Sequence, residues 1–279
     1  MRIAAAQMSI KYRDKELNMK RAEEMFEKAA GKADLIIFPE MSLTGFSMHT
    51  DSDGESFEIS PSLEFFKKCA KKYSMAVCFG FIRTEGGKAY NSSVIMDKNG
   101  NFSQIYDKIH PFSGGREGEY YAGGNKVIWE KIGDMTVSPF ICYDLRFPEI
   151  FQAASEKSGL LIVIANWPQV RIHAAGPLLR ARAIENQSYA LFVNTTGFSG
   201  KIQYSGESCC FDPWGDPVFK AEDAEDVYIF EIDETLPQTV RESFKMRPDR
   251  KNPLYVKLYE ENLINPNENK QTCRKDGRP

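Results

Sequence analysis

Apolar positions along the chain alternate between two periods, one that fits strands and one that fits helices. Residues 2–8 (RIAAAQM) read as a short strand. In residues 15–30 (KELNMKRAEEMFEKAA), Leu17, Ala22, Met25, Phe26 and Ala29 fall at helical spacing, and Gly31 stops the run. LIIF at residues 35–38 is a buried-strand pattern ended by Pro39. Ser60-Pro61 is a helix start for residues 62–74, since a serine N-cap and a proline in the first turn both satisfy helix-start geometry. MAVCFGFI (75–82), YNSSVIMD (90–97) and NFSQIYD (101–107) then read as consecutive strands, with a turn at Lys98-Asn99-Gly100.

Beyond a Gly-rich stretch at 113–125, strands are predicted at 136–144, 160–166 and 189–194, with helices at 147–157 and 173–187 between them. The last third adds strands at 208–212, 217–221 and 227–233 and a short helix at 235–244. Strands alternating with helices, plus added hairpins, predict an α/β layered domain with mixed sheets. The expected organisation is one domain over residues 1–262 followed by a polar tail, 263–279.

Composition narrows the function classes. With 36 Lys+Arg against 39 Asp+Glu the net charge is −3, whereas nucleic-acid and anionic-membrane binders show a basic excess. The longest apolar run, LLIVIA at 160–165, is far short of the ~18 residues of a membrane span. Neither a secretion signal nor a membrane helix is expected, and the six cysteines form no C-x-x-C and no Cys/His cluster. The expectation is a reducing cytoplasm and no metal site.

Three reactive side chains stand where an apolar run gives way to a turn, the place where α/β folds gather catalytic groups: Glu40 in LIIFPE, Lys108 in QIYDK and Cys142 in SPFICYD. A thiol at neutral pH is mostly protonated and needs a base or a cation beside it to act as a nucleophile; glutamate and lysine supply one each. Taken singly, each has an ordinary explanation as a packed cysteine, a turn carboxylate or a solvated strand end. Two other readings draw on the same chain. Cys142, His173 and Asn194 occur in the order of a papain-like protease, without its local cysteine context. The Gly-rich stretch, and the segment Gly80 to Lys88, lack phosphate-loop spacing, which leaves the former as a loop bordering an active-site mouth.

Taken in order, LIIFPEMSLTGF, YDKIHPF and ICYDLRFPE resemble the glutamate, lysine and cysteine motifs of the carbon-nitrogen hydrolase (nitrilase) superfamily. AAAQM, ANWP, RARAIENQSYALFVN and YSGESCCFDPWG extend the similarity from residue 2 to about 245. The resemblance implies a four-layer αββα sandwich with two mixed sheets, cysteine hydrolase chemistry without metal or organic cofactor, and homodimers or larger homo-oligomers. It implies Glu40 as general base, Lys108 as oxyanion-stabilising cation, Cys142 as nucleophile and the Tyr143 backbone N–H as a second oxyanion donor. The second glutamate of the family aligns with Glu117, with Glu119 as the alternative.

The segment Tyr143 to Pro148 (YDLRFP) is similar to the omega-amidase branch, which implies omega-amides of dicarboxylates such as 2-oxoglutaramate or succinamate as substrates, with water as co-substrate. N-carbamoyl amino acid hydrolysis, aliphatic nitrile hydrolysis and a non-enzymatic scaffold are the alternatives. A dicarboxylate amide needs a cation for its far carboxylate, and Arg146 is the candidate clamp, or else an ion-pair partner of Asp144 or Glu149. Phe46, Tyr143 and Trp167 are candidates for the pocket wall or for the core.

Overall fold

The computed structural model describes residues 1–264, and contacts divide the chain into two compact units, Met1–Val240 and Arg241–Pro279. The first unit opens with β1 (Arg2–Gln7), α1 (Lys15–Ala29), β2 (Leu35–Ile37), α2 (Thr50–Asp53), β3 (Glu55–Ser56), α3 (Pro61–Tyr73), β4 (Ala76–Glu85), β5 (Lys88–Met96) and β6 (Ile105–Asp107). It continues through β7 (Glu130–Ile132), β8 (Met135–Ile141), α4 (Pro148–Ser155), β9 (Leu160–Ala165), α5 (Ala175–Asn186) and β10 (Tyr189–Asn194). It ends in β11 (Thr196–Ser199), β12 (Ile202–Ser205), β13 (Cys209–Phe211), β14 (Pro217–Lys220), β15 (Asp226–Glu231) and α6 (Leu236–Ser243), inside which the division falls. The second unit contains a 3₁₀ turn (Arg247–Asp249), α7 (Asn252–Tyr259) and a terminal turn, Glu260–Ile264. All of the expected tail except residues 263 and 264 lies outside the described residues, as does Cys273.

Two mixed sheets form. One has the order β15-β1-β2-β4-β5-β6 with β3 added beside β4, and the other the order β14-β13-β10-β9-β8-β7. Parallel pairs (β1 with β2, β2 with β4, β8 with β9, β9 with β10) arise where a helix or long loop makes the crossover; short turns join the antiparallel pairs β4–β5 and β7–β8, while β1–β15 and β10–β13 are antiparallel pairs between strands distant in sequence. A two-residue turn joins β4 to β5 through Gly86 (φ +57°) and Gly87 (φ +75°), two successive left-handed positions that glycine adopts without penalty.

Side-chain alternation builds the layers. In β1, Ile3 and Ala5 face a core shared with β8, β9 and β10, while Ala4 and Ala6 face α1 and α3. Leu35 and Ile37 against Ile36, and Cys78 against Val77 and Phe79, divide in the same way. Of the helical stripe anticipated in α1, Ala22, Met25, Phe26 and Ala29 pack with Leu63, Phe66, Cys69 and Ala70 of α3 on the outer face of the first sheet, while Leu17, in the first turn, is only half-buried and lies outside that core. Phe151 and Ala154 of α4 and Leu179 and Ala183 of α5 cover the second sheet. The result is the expected four-layer αββα sandwich. Asp14 and Ser60 cap α1 and α3, each side-chain oxygen accepting a backbone N–H at 3.1 Å.

Several boundaries differ from expectation. Strand β8 ends at Ile141, so Cys142 starts a 3₁₀ turn, Cys142–Arg146, that leads into α4. The helix expected from residue 173 begins at Ala175, preceded by a 3₁₀ stretch, Gln169–Ala174. The strands β7, β11 and β12 form where none was predicted. The β11–β12 hairpin pairs only with itself, and its sequence (TGFS, IQYS) lacks a continuous apolar face.

Candidate active site

The side chains flagged as reactive converge because each follows a strand. Glu40 stands after β2, Lys108 directly after β6, Cys142 directly after β8, and Asn166 and Trp167 directly after β9. Glu117 arrives from the Gly-rich stretch, which folds into two 3₁₀ turns, Ser113–Gly115 and Glu117–Glu119. Gly80 of β4 makes the approach of the Glu40 loop possible: a Cβ there would lie 2.6 Å from the Met41 backbone nitrogen and 3.0 Å from the Glu40 Cα. The two segments also tie together directly, Ser42 N donating to the Gly80 carbonyl at 2.9 Å and Gly80 N donating to Ser42 Oγ at 3.1 Å.

Glu40, Lys108 and Glu117 are all buried. The Lys108 ammonium donates to Glu40 Oε1 at 3.0 Å and to both oxygens of Glu117 at 3.1 and 2.9 Å. Asn91 Nδ2 bridges the same carboxylates, at 2.7 Å to Glu40 and 2.9 Å to Glu117. Glu40 Oε2 accepts from the Asn166 backbone N–H at 2.8 Å, and Glu117 Oε2 from the Phe112 backbone N–H at 2.6 Å. Burial pulls the Lys108 ammonium towards neutrality, but the charges of Glu40 and Glu117 outweigh it and hold the lysine above its ordinary value. The gap between the carboxylates, where a metal ion would sit, is taken by this ammonium. Among the described residues no group of three or more His, Cys, Asp or Glu side chains has the arrangement to hold a metal.

Cys142 adopts a left-handed φ of +47°, which a non-glycine residue tolerates only where its surroundings hold it. Asp144 does the holding. Its Oδ2 accepts from Tyr106 Oη at 2.7 Å and from Ile141 N at 3.1 Å; its Oδ1 accepts from His110 N at 3.0 Å and lies 2.9 Å from His110 Nδ1. One buried carboxylate thus ties the cysteine turn to the lysine segment. Burial, then the negative charge of Glu40, raises the Cys142 thiol well above its ordinary value despite Lys108. Two carboxylates already face one ammonium, so a resting thiolate would add an uncompensated charge. The geometry therefore suits a protonated thiol that gives up its proton to a neighbouring base during attack.

These groups open onto a cavity of about 320 Å³ whose lining includes Glu40, Phe46, Lys108, Cys142, Tyr143, Arg146 and Trp167, with Phe112, Asn166, Arg171 and Tyr204 also on the wall. Phe46 places its ring 5.6 Å from the Lys108 ammonium. Arg146 lies over the Trp167 ring at 4.9 Å and makes no ion pair with Asp144 or Glu149, so the ion-pair alternative for it is set aside. Glu119, the alternative to Glu117, is exposed and paired with Arg116 at 2.6 Å. The protease-like order dissolves: Asn194 is spent on the Trp167 backbone and the Gly206 carbonyl, and His173 is exposed. A larger open cleft of about 740 Å³, lined by Arg83, Tyr90, Asn101 and Lys126 among others, contains none of these groups.

Sequence reasoning missed Asn91, Asp144, Arg171 and Tyr204. Asn91 was visible only as part of the strand predicted at 90–97, and Asp144 only as a possible partner of Arg146.

Residues 2–241 match the carbon-nitrogen hydrolase family. The chain is 32% identical over 260 residues to the 2-oxoglutaramate amidase of Bacillus subtilis (strain 168), covering 91% of this chain and 98% of that one. It is 28% identical to the omega-amidase YafV of Escherichia coli (strain K12), over 80% of this chain and 85% of the relative. Among solved structures, a CN-hydrolase superfamily protein of Xanthomonas campestris with an arsenic adduct in its active site superposes with a TM-score of 0.85 at 29% identity, over 90% of this chain and 97% of that one.

Proposed function

The chain belongs to the carbon-nitrogen hydrolase family, and we propose that it is an omega-amidase, cleaving the terminal amide of a dicarboxylate monoamide such as succinamate or 2-oxoglutaramate to release ammonia. The observation that carries this reading is the buried Glu40–Lys108–Glu117 cluster opening with Cys142 onto one cavity that also holds Arg146. The chemistry needs a thiol, a base and a cation at the closed end, and an anion-binding group farther out.

In the proposed reaction, Glu40 takes the thiol proton as Cys142 Sγ bonds to the amide carbonyl carbon. The carbonyl oxygen gains the negative charge, and the Lys108 ammonium and the Tyr143 backbone N–H hold it; one such donor contributes about 10²–10³ in rate. Collapse of the tetrahedral intermediate breaks the C–N bond, and the proton on Glu40 leaves with ammonia. Water then attacks the thioester, giving a proton to Glu40, and the departing sulfur takes that proton back. Splitting one slow hydrolysis into two acyl transfers is the gain. Glu117 and Asn91 do not touch the substrate in this scheme; they fix Lys108 and Glu40.

Ammonia release from succinamate, 2-oxoglutaramate, an aliphatic nitrile and an N-carbamoyl amino acid tests the assignment. The dicarboxylate amides are expected to be the best substrates, and preference for the nitrile or the carbamoyl compound overturns it. We further propose a reducing cytoplasmic setting, consistent with free cysteines at 69, 78, 142, 209 and 210, and a homodimer or larger homo-oligomer. The exposed apolar side chains of Leu254, Val256, Leu258 and Leu263 support association, which sedimentation velocity measures.

A further inference from the structure

Arg171 and Tyr204 line the Cys142 cavity, yet the reaction above gives them no task. Five arginines elsewhere in the protein hold carboxylates: Arg2 with Asp34, Arg13 with Asp53, Arg83 with Asp107, Arg116 with Glu119 and Arg182 with Glu185. Arg146 and Arg171 hold none among the described residues. Each lies instead over an aromatic ring with 4.9 Å from guanidinium carbon to centroid, Arg146 on Trp167 and Arg171 on Phe112. Stacking fixes the plane of a guanidinium while leaving its N–H edge open to a planar anion.

The two cations share a scaffold. Trp167 Nε1 donates to the Arg171 carbonyl at 2.9 Å, so the ring that supports Arg146 is tied to the backbone that carries Arg171. Among the described residues Glu40 is the only carboxylate lining the cavity, and Asn91, Lys108 and Asn166 already engage its oxygens, so it offers neither arginine a counter-charge. Tyr204 is 2% exposed, and its hydroxyl has no hydrogen-bond partner among the described residues. Burial first, then Glu40 and Cys142, push that phenol up, while Arg171 pulls it down. Tyr204 thus adds a hydroxyl to the cavity wall that also carries Cys142 and Arg171. A ligand that neutralises Arg171 is an anion reaching along the cavity from Cys142.

We propose, building on the omega-amidase reading above, that Arg171 is a second specificity-determining cation: together with Arg146 it forms a two-guanidinium cradle for the far carboxylate of the substrate, on a wall shared with Tyr204. A second guanidinium adds a further positive charge and further donors for the far carboxylate, and so disfavours neutral amides more than Arg146 alone would.

The test compares wild type, Arg171→Met, Arg171→Lys and Arg146→Met with succinamate and with the neutral butyramide. For Arg171→Met, the ratio of kcat/KM for succinamate to that for butyramide is expected to fall about 10–100-fold, as loss of a charged, bidentate contact implies, with the change mostly in the KM for succinamate. Arg171→Lys, which keeps the charge and loses the fork, is expected to fall between Met and wild type. A second readout is independent of turnover: succinate binding to Cys142→Ala, followed by calorimetry, is expected to weaken at least tenfold when Arg171→Met is added. An unchanged ratio and unchanged succinate binding in the Arg171 variants, with Arg146→Met impaired, overturn the cradle and leave the omega-amidase reading standing. A wild-type enzyme with no preference for succinamate over butyramide overturns both.

Discussion

The two oxygens of Glu40 have different surroundings, and this decides which one acts. Oε1 accepts from Asn91 and from the Lys108 ammonium, whereas Oε2 accepts only from the Asn166 backbone N–H. An oxygen already facing an ammonium is the poorer proton acceptor, so Oε2 is assigned the thiol proton. In Glu40→Gln the amide oxygen suits Asn91 and Lys108, which leaves the new NH₂ facing the Asn166 N–H. That donor-to-donor contact costs about 1–3 kcal/mol. The expected outcome is a folded protein whose urea midpoint drops modestly and whose kcat/KM falls by at least ~10³, with acylation slowed in single-turnover assays. Turnover within tenfold of wild type would remove Glu40 as the base. Asn91 shows why residue chemistry was only partly legible. Its bridging amide follows from register, since it lies opposite Ile82 in the β4–β5 ladder while its carbonyl accepts Lys108 N at 2.8 Å, and no local pattern announces that.

At the level of elements, the site depends on how closely β4 lets the glutamate loop approach. Gly80→Ala puts a methyl 2.6 Å from the Met41 backbone nitrogen, so the loop carrying Glu40 has to move. Overpacking of this kind costs about 1–3 kcal/mol in stability. The larger effect is expected on catalysis, because a displacement near 1 Å costs on the order of 100-fold. Urea titration and kcat measured on one preparation check the split, and a loss of stability without loss of kcat contradicts it. The same elements show what the sequence pattern carries. Strands that are continuous apolar runs (β1, β2, β9, β10) and helices with an apolar stripe (α1, α3) were predicted near their observed places, because burial dictates their patterns. The β11–β12 hairpin, with polar Gln203 and exposed Phe198 and Ile202, has no such pattern and escaped notice. Glu40, Lys108 and Cys142 were flagged because each interrupts an apolar run at its end. Arg171 and Tyr204 sit in segments whose partners come from other parts of the chain, so their shared cavity exists only in three dimensions.

At the scale of the whole molecule, burial of thiols sets a limit on the alkaline side. Burial pushes Cys78 and Cys209 up to about 12, and Cys142 and Cys210 well above their ordinary value. In the unfolded chain each thiol ionises near pH ~8.5. A raised value in the folded state means that the native protein binds more protons than the unfolded chain once the pH exceeds that point. The stabilisation is therefore complete below pH ~8.5 and declines as the pH climbs towards the folded values, by about 1.4 kcal/mol per pH unit for each such thiol. The Lys108 ammonium, also held above its ordinary value, adds a loss of the same sign at still higher pH. Unfolding midpoints in urea are thus expected to be flat from about pH 6 to 8 and to fall steeply from about pH 9, with m unchanged. Cys210→Ala, although less stable overall because a cavity replaces the sulfur, is expected to show a shallower alkaline slope by about one thiol's contribution. A profile that stays flat to pH 11, or a Cys210→Ala slope equal to that of wild type, contradicts this account. Activity follows a different logic: in the proposed reaction Glu40 removes the thiol proton during attack, so turnover needs no resting thiolate, and the enzyme can work well below the pH at which its buried sulfurs begin to undermine the fold.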